Sequence, residues 1–145
     1  MKYTIELTLE KSRADVWQAF DNPDNMKNWQ PSLKKFEPVS GTPGQPGAVS
    51  NLIYEENERE FTLTEEINLR DEPKRFDGVY KNEFSDSIVK NTFVEKGESE
   101  TLWIVETEFK FKTLPMKIMG PLMKRNFARR TYRDMERFQE FVESL

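Results

Sequence analysis

The sequence predicts an α+β fold, an antiparallel sheet covered on one face by a long C-terminal helix. Two observations carry this. Residues 59–112 fall into four stretches in which apolar and polar side chains alternate, the period of a strand with one buried face. Residues 115–145 then place apolar side chains at helical spacing. A meander followed by one amphipathic helix hides both apolar faces when the helix lies across the sheet. Such a layer can enclose a cavity, so the pattern points to a container for a small molecule.

The elements follow in order. Tyr3, Ile5, Leu7 and Leu9 alternate with Thr4, Glu6, Thr8 and Glu10, a half-buried strand. Ser12 caps a short helix, with Asp15 three residues on as in a capping box. Val16, Trp17 and Phe20 form its apolar side. Asn22-Pro23 opens a second short helix, with proline at its first position. Met26 and Trp29 share a side of it, and Pro31 ends it. Residues 32–40 read as a weak strand, residues 41–47 as a Gly/Pro loop, and residues 48–57 as another strand. In that strand Leu52 and Tyr54 compete with Val49 and Ile53 for the buried face.

In the four-strand meander, one face is set by Phe61, Leu63, Glu65, Ile67 and Leu69, then by Phe76, Gly78, Tyr80, Asn82 and Phe84. Val89, Asn91 and Phe93 continue it, followed by Trp103, Val105, Thr107, Phe109 and Phe111. Turns are expected at Asp71-Glu72-Pro73, Ser85-Asp86 and Lys96-Gly97-Glu98. Pairing about them sets Glu65 opposite Gly78, Gly78 opposite Phe93, and Phe93 opposite Trp103. The next rows are Leu63, Tyr80, Asn91, Val105 and Phe61, Asn82, Val89, Thr107. In the last helix Gly120-Pro121 interrupts the pattern, because an internal proline loses a hydrogen bond and bends the axis. Residues 115–119 are then a candidate separate turn. Beyond Pro121, Phe127, Thr131, Met135, Phe138 and Val142 form one stripe, expected to face the sheet.

Composition narrows the chemistry. A chain of 145 residues suits one domain, here residues 1–145. There is no cysteine and no histidine, which excludes thiolate nucleophiles, Ser-His-Asp relays and Cys- or His-ligated metal. No cofactor is expected, and any catalysis must use Asp, Glu, Lys, Tyr or water. No run is long and apolar enough to cross a bilayer. The first residues alternate like a strand and lack the apolar core of a signal peptide, so a cytoplasmic protein is expected. The net charge is −4, yet residues 113–137 hold seven Lys or Arg against Asp134 and Glu136, a local +5 that leaves −9 elsewhere. This basic stripe reads as a solvated face answering an acidic sheet; the other reading is a surface for phosphates or anionic lipid headgroups.

Polar groups interrupt the apolar face and so become candidates for ligand contact. Glu65, once desolvated, should show a raised pKa and could act as an acid or base; its structural role would be a carboxylate satisfied by Tyr80, arginine or water. Tyr80 and Asn91 are either a structural pair or ligand contacts. Thr107 is either tolerated core or site. Gly78 either eases sheet curvature or clears space. Met119 and Met123, near Met116, are either an adaptable pocket mouth or core filling. Leu63, Phe93, Trp103, Val105, Phe109, Phe127 and Thr131 complete the candidate walls.

The element order, with the segment from Val16-Trp17 through Asp21-Asn-Pro-Asp to Trp29, resembles the START-like superfamily, also called SRPBCC. Asp71-Glu-Pro-Lys-Arg75 and Gly120-Pro-Leu-Met-Lys-Arg125 are similar to its turn before the fifth strand and its entry to the final helix. The resemblance spans essentially the whole chain, and the relevant bacterial branch is labelled polyketide cyclase/dehydrase and lipid transport. It implies a helix-grip fold, in which a curved seven-stranded antiparallel sheet wraps a long C-terminal helix, with two short helices after the first strand. It also implies an apolar cavity for lipids, polyketides or similar molecules, but no universal catalytic motif. The expected function is therefore binding or carriage of a hydrophobic small molecule. Alternatives are a cyclase or dehydratase using Glu65, Tyr80 and Asn91, and an interaction domain like the Hsp90 activators. No nucleic-acid partner and no stable membrane insertion are expected, and the chain should be a monomer or homodimer.

Overall fold

A computed structural model describes all 145 residues. The strands are β1 (Lys2–Leu9), β2 (Leu33–Ser40), β3 (Val49–Glu56), β4 (Arg59–Asp71), β5 (Arg75–Lys81), β6 (Ser85–Gly97) and β7 (Glu100–Phe111). The helices are α1 (Arg13–Asp21), α2 (Met26–Trp29), α3 (Leu114–Leu122) and α4 (Lys124–Glu143). All seven strands join one antiparallel sheet in the order β1-β7-β6-β5-β4-β3-β2. Strands β2 to β7 are a meander, and β1 closes against β7. The sheet curves around α4, giving the helix-grip architecture.

Local chemistry sets the ends of the elements. The Asp15 amide donates to the Ser12 hydroxyl at 3.1 Å, and the Asp24 amide to Asn22 Oδ1 at 3.0 Å. Pro23 opens a short 3-10 turn that leads into α2. Asn57 and Glu58 both have positive φ, 52° and 64°, as a two-residue I′ hairpin turn requires. Pro38 lies in β2, an edge strand where a missing N–H is tolerated. The ambiguous strand β3 buries Leu52 and Tyr54, with Ser50 on the same face.

Two registers differ from the sequence map. Glu65 faces Tyr80 rather than Gly78, with an irregularity in β4 between Ile67 and Leu69. Gly78 faces Ile67 and Val89, not Phe93. The β5–β6 turn is built on Asn82, whose Oδ1 accepts from the amides of Phe84 at 2.8 Å and Ser85 at 2.9 Å. That turn lies ahead of the expected Ser85-Asp86 and moves the pairing. The shifts at Glu65 and Gly78 are even, so those faces survive. Beyond the irregularity Leu69 pairs with Asp77 and Arg70 with Phe76, which turns Leu69 off the inward face and puts Arg70 there. The β6–β7 rows agree with expectation: Phe93 with Trp103, Asn91 with Val105, and Val89 with Thr107.

The helical segment also differs. The chain does not break at Gly120-Pro121. Helix α3 runs through both residues, capped by the Thr113 hydroxyl, and the break falls at Met123. Gly120 permits α3 to lie on the sheet, because a Cβ there would come 2.3 Å from the Phe111 ring.

The space under α4 is filled at one end only. Met135, Phe138 and Val142 are at most 1% exposed and pack with Leu9, Val16, Trp17, Phe93 and Trp103. Phe20 centres this aromatic cluster, with ring centroids 5.1 Å from Phe93, 5.7 Å from Trp29 and 5.9 Å from Trp103. Such pairs add about 0.5–1.5 kcal/mol each beyond area burial. Arg70 fixes α1 to β4, since its guanidinium binds both carboxylate oxygens of Asp21 and lies 5.3 Å from the Trp17 ring centroid. Toward the other end, Phe127 and Thr131 on the same helical stripe are only half-buried.

Candidate functional site

Under the N-terminal half of α4 lies a chamber of about 200 Å³ between helix, sheet and α2. It opens into a vestibule of about 670 Å³ and shares Tyr3, Tyr54, Leu63, Phe109 and Thr131 with it. A side pocket of about 90 Å³ sits between α1, α2, β2 and the sheet. Tyr80 and Trp29 line both the chamber and the side pocket.

The structure brings most of the expected residues together. Leu63, Tyr80, Asn91, Trp103, Val105, Thr107, Phe109 and Thr131 all line the chamber. Phe127 lines the vestibule and stacks on Phe109 with centroids 4.9 Å apart. Glu65 lines the side pocket rather than the chamber, at 6% exposure.

Four expected residues line none of these three spaces. Phe93 lies in the packed core, stacked on Trp103 at 6.0 Å. Gly78 clears no space for a ligand, because the Tyr80 ring folds over it; a Cβ there would lie 3.3 Å from that ring. Met119 points outward and is 52% exposed. Met123 forms the break between α3 and α4.

The polar groups have definite partners. Asn91 accepts from the Trp103 indole at 3.1 Å and donates to the Phe76 carbonyl at 3.2 Å. It therefore braces Trp103 rather than pairing with Tyr80. The hydroxyls of Tyr3 and Thr131 lie 2.7 Å apart, and the Tyr54 hydroxyl donates to Gln30 Oε1 at 2.8 Å. The indole N–H of Trp29 is buried without a partner in the protein.

Burial pushes the Glu65 carboxyl above its ordinary pKa, and the adjacent Tyr80 hydroxyl offsets part of that rise. Tyr80 is itself raised well above its ordinary value by burial and by Glu65. At the vestibule, burial raises Asp134 to about 6, against the opposing pull of Arg137 and Arg130. Arg137 Nη1 donates to Asp134 at 2.9 Å. Arg130 reaches across the mouth to pair with Glu56 at the end of β3.

Sequence reasoning missed Tyr3, Gln30, Tyr54, Ser87 and Asp134 as lining residues. Two signals were present. Tyr3 alternates in phase with Ile5, and Asp134 lies three residues after Thr131 on the inward stripe.

A half-hollow helix-grip domain, with an apolar chamber and a charged mouth, is a ligand-binding architecture. The chain belongs to the family described as polyketide cyclase/dehydrase and lipid transport, whose profile matches residues 2–143. Membership supports hydrophobic-ligand binding in general. Among solved structures, the chain is similar to a START superfamily protein from Mycobacterium smegmatis, at 14% identity and TM-score 0.81, covering 99% of this chain and 97% of that one. It is also similar to the Zhui aromatase/cyclase from Streptomyces sp. R1128, at 11% identity and TM-score 0.81, covering 99% and 93%. Norcoclaurine synthase from Thalictrum flavum, in complex with dopamine and hydroxybenzaldehyde, aligns at 16% identity and TM-score 0.71, covering 98% and 86%. At such identities the likeness concerns the fold. Comparison with curated proteins gave no match.

Proposed function

We propose that this protein binds and carries an amphipathic, mainly hydrophobic small molecule without changing it covalently. The carrying observation is the chamber itself, walled by Leu52, Leu63, Val89, Trp103, Val105 and Phe109 and continuous in its lining with the vestibule. Apolar walls supply affinity, while a few fixed polar groups orient the ligand. The partnerless Trp29 N–H and the Thr131 hydroxyl are suited to a carbonyl or hydroxyl on that ligand. Drug-sized ligands occupy about 300–1,000 Å³, more than the 200 Å³ chamber. The apolar end then sits inside and the polar end extends into the vestibule.

The test is native mass spectrometry of protein from its own host, with thermal shift against fatty acids, quinones and aromatic polyketides. Ligand capture should fall at least tenfold in Val89→Trp, which fills the chamber, and in Thr131→Phe, which narrows its exit. Equal capture by wild type and both variants, with folding intact, would refute the reading.

A second reading is proton transfer in a cyclase or dehydratase reaction, favoured by one observation. Glu65 stands directly across from Tyr80, and Tyr80 is the group that faces the chamber. In that reading Glu65 acts through Tyr80, as a positioning residue. Turnover lost in Tyr80→Phe but not in Thr131→Val would support it. The interaction-domain reading gains nothing from the structure, since it calls for a filled interior.

A further inference from the structure

Helix α3 is apolar on two sides. Gly120 meets Phe111 of the sheet. On the other side Leu114, Ile118 and Leu122 recur every fourth residue and are 70%, 63% and 78% exposed. Met119 beside them is 52% exposed. Single exposed leucines are ordinary, but a continuous apolar ridge marks a contact surface. Phe84, 48% exposed, belongs to the same end of the molecule. The Lys112 amide, just before α3, donates to the Phe84 carbonyl at 2.8 Å. Asn82 and Ser85, on either side of Phe84, line the vestibule. The ridge therefore stands beside the mouth without lining it.

The chain segment that carries the ridge is basic, and the acidic groups lining the mouth, Glu56 and Asp134, are each paired with an arginine. Between Glu108 and Asp134 the chain contains eight Lys or Arg and no acidic residue, within a protein of net charge −4. Lys117, Lys124, Arg125, Arg129 and Arg133 form no ion pair, unlike Arg130 and Arg137. Arg129 and Arg133 line the vestibule.

From this juxtaposition we propose that the α3 ridge docks the protein on an anionic lipid bilayer, with the cavity mouth against the surface. Apolar side chains enter the headgroup–acyl boundary, while the surrounding cations meet lipid phosphates. A second copy of this chain fits the same surface poorly, because a two-fold contact would set these cations against their own copies. No helix of the protein is long and apolar enough to cross a membrane, so docking is peripheral. The purpose of docking, loading from the bilayer, rests on the carrier reading, whereas its test does not.

Vesicle co-sedimentation tests it, using phosphatidylcholine alone and with roughly 30% phosphatidylglycerol, at about 0.05 and 0.5 M salt. Wild type should bind the anionic vesicles at low salt and lose most binding at high salt or without phosphatidylglycerol. Leu114→Ser/Ile118→Ser/Leu122→Ser and Lys124→Glu/Arg125→Glu should each weaken binding at least tenfold. Both should keep the wild-type melting temperature and capture of a soluble fluorescent ligand. Val89→Trp should lose capture and keep vesicle binding, which separates failure of the carrier reading from failure of docking. The proposal is overturned by absence of wild-type binding to anionic vesicles, or by undiminished binding in both the serine and the glutamate variants. It is overturned equally if sedimentation velocity shows a wild-type dimer that the triple serine variant dissolves while vesicle binding is unchanged.

Discussion

The hydroxyls of Tyr3 and Thr131 meet at 2.7 Å, joining the first strand to the last helix at the rim of the chamber. Tyr3→Phe deletes this bond and leaves the ring in place. A neutral hydrogen bond between partly buried groups contributes about 1 kcal/mol net at most. Urea unfolding should show a loss of that size, and the melting temperature should fall by about 2–4 °C. Unchanged stability would mean that the bond does not hold α4 to β1.

Glu65 is expected to cost stability at neutral pH. Burial raises its folded pKa above the ordinary value of 4.5, so the native state holds its proton more tightly than the unfolded chain. Its favourable contribution is complete below the unfolded pKa and is lost as pH rises through the folded pKa. Glu65→Gln should flatten the stability–pH profile above about pH 4.5 and equal or exceed wild type at pH 7. Denaturant melts across pH 4–8 check this; a destabilised Gln variant at every pH would contradict it.

Asp134 should make ligand binding sensitive to pH. Its pKa is raised from 3.8 to about 6, so it gains charge at the vestibule as pH passes through 6. A permanently anionic probe, such as anilinonaphthalene sulfonate, should bind several-fold more tightly at about pH 5 than at pH 7.5. Asp134→Asn should remove that difference. The same raised pKa means that stability from this group falls between 3.8 and about 6, and the Asn variant should lack that slope.

Gly120 and Phe111 should behave as a coupled pair. Gly120→Ala places a methyl group where the Phe111 ring lies and should cost about 1–3 kcal/mol by overpacking. Phe111→Leu in the same chain should recover part of that loss, a coupling visible in a double-mutant cycle. Additive effects would show that α3 adjusts freely over the sheet.

The Arg130–Glu56 pair spans the mouth between α4 and β3. Both partners are partly exposed, so Glu56→Gln should change stability by no more than about 1 kcal/mol. Ligand exchange, followed by stopped-flow fluorescence, should accelerate several-fold as the strap opens. An unaltered exchange rate would remove this pair from the entry route.

Much of this architecture was legible because alternation reports faces directly. The first strand, the four-strand meander and the inward stripe of α4 follow from side-chain period, whereas β2 reads only as a weak strand and the alternation in β3 leaves its buried face open. Register was less legible, since an even-numbered slip preserves every face. The Asn82 turn moved Gly78 opposite Val89, while the irregularity beside Asn68 accompanies the move of Glu65 opposite Tyr80 and turns Leu69 to the other face. The chamber's lining was only partly legible. Phe93 and Trp103 are equally apolar and share a row, yet Trp103 lines the chamber and Phe93 does not, a matter of depth rather than pattern. Met119 shows the opposite failure, because an apolar residue on an apolar helix gives no sign of which side meets water.

The neighbour of β1 is β7, and Leu7 faces Trp103 across that seam. During synthesis β1 has no mate until β7 emerges about 90 residues later, a separation that slows folding. The nascent chain must keep an apolar edge from other chains for that whole interval. Moving this strand to the far terminus by circular permutation would shorten the wait and should speed refolding.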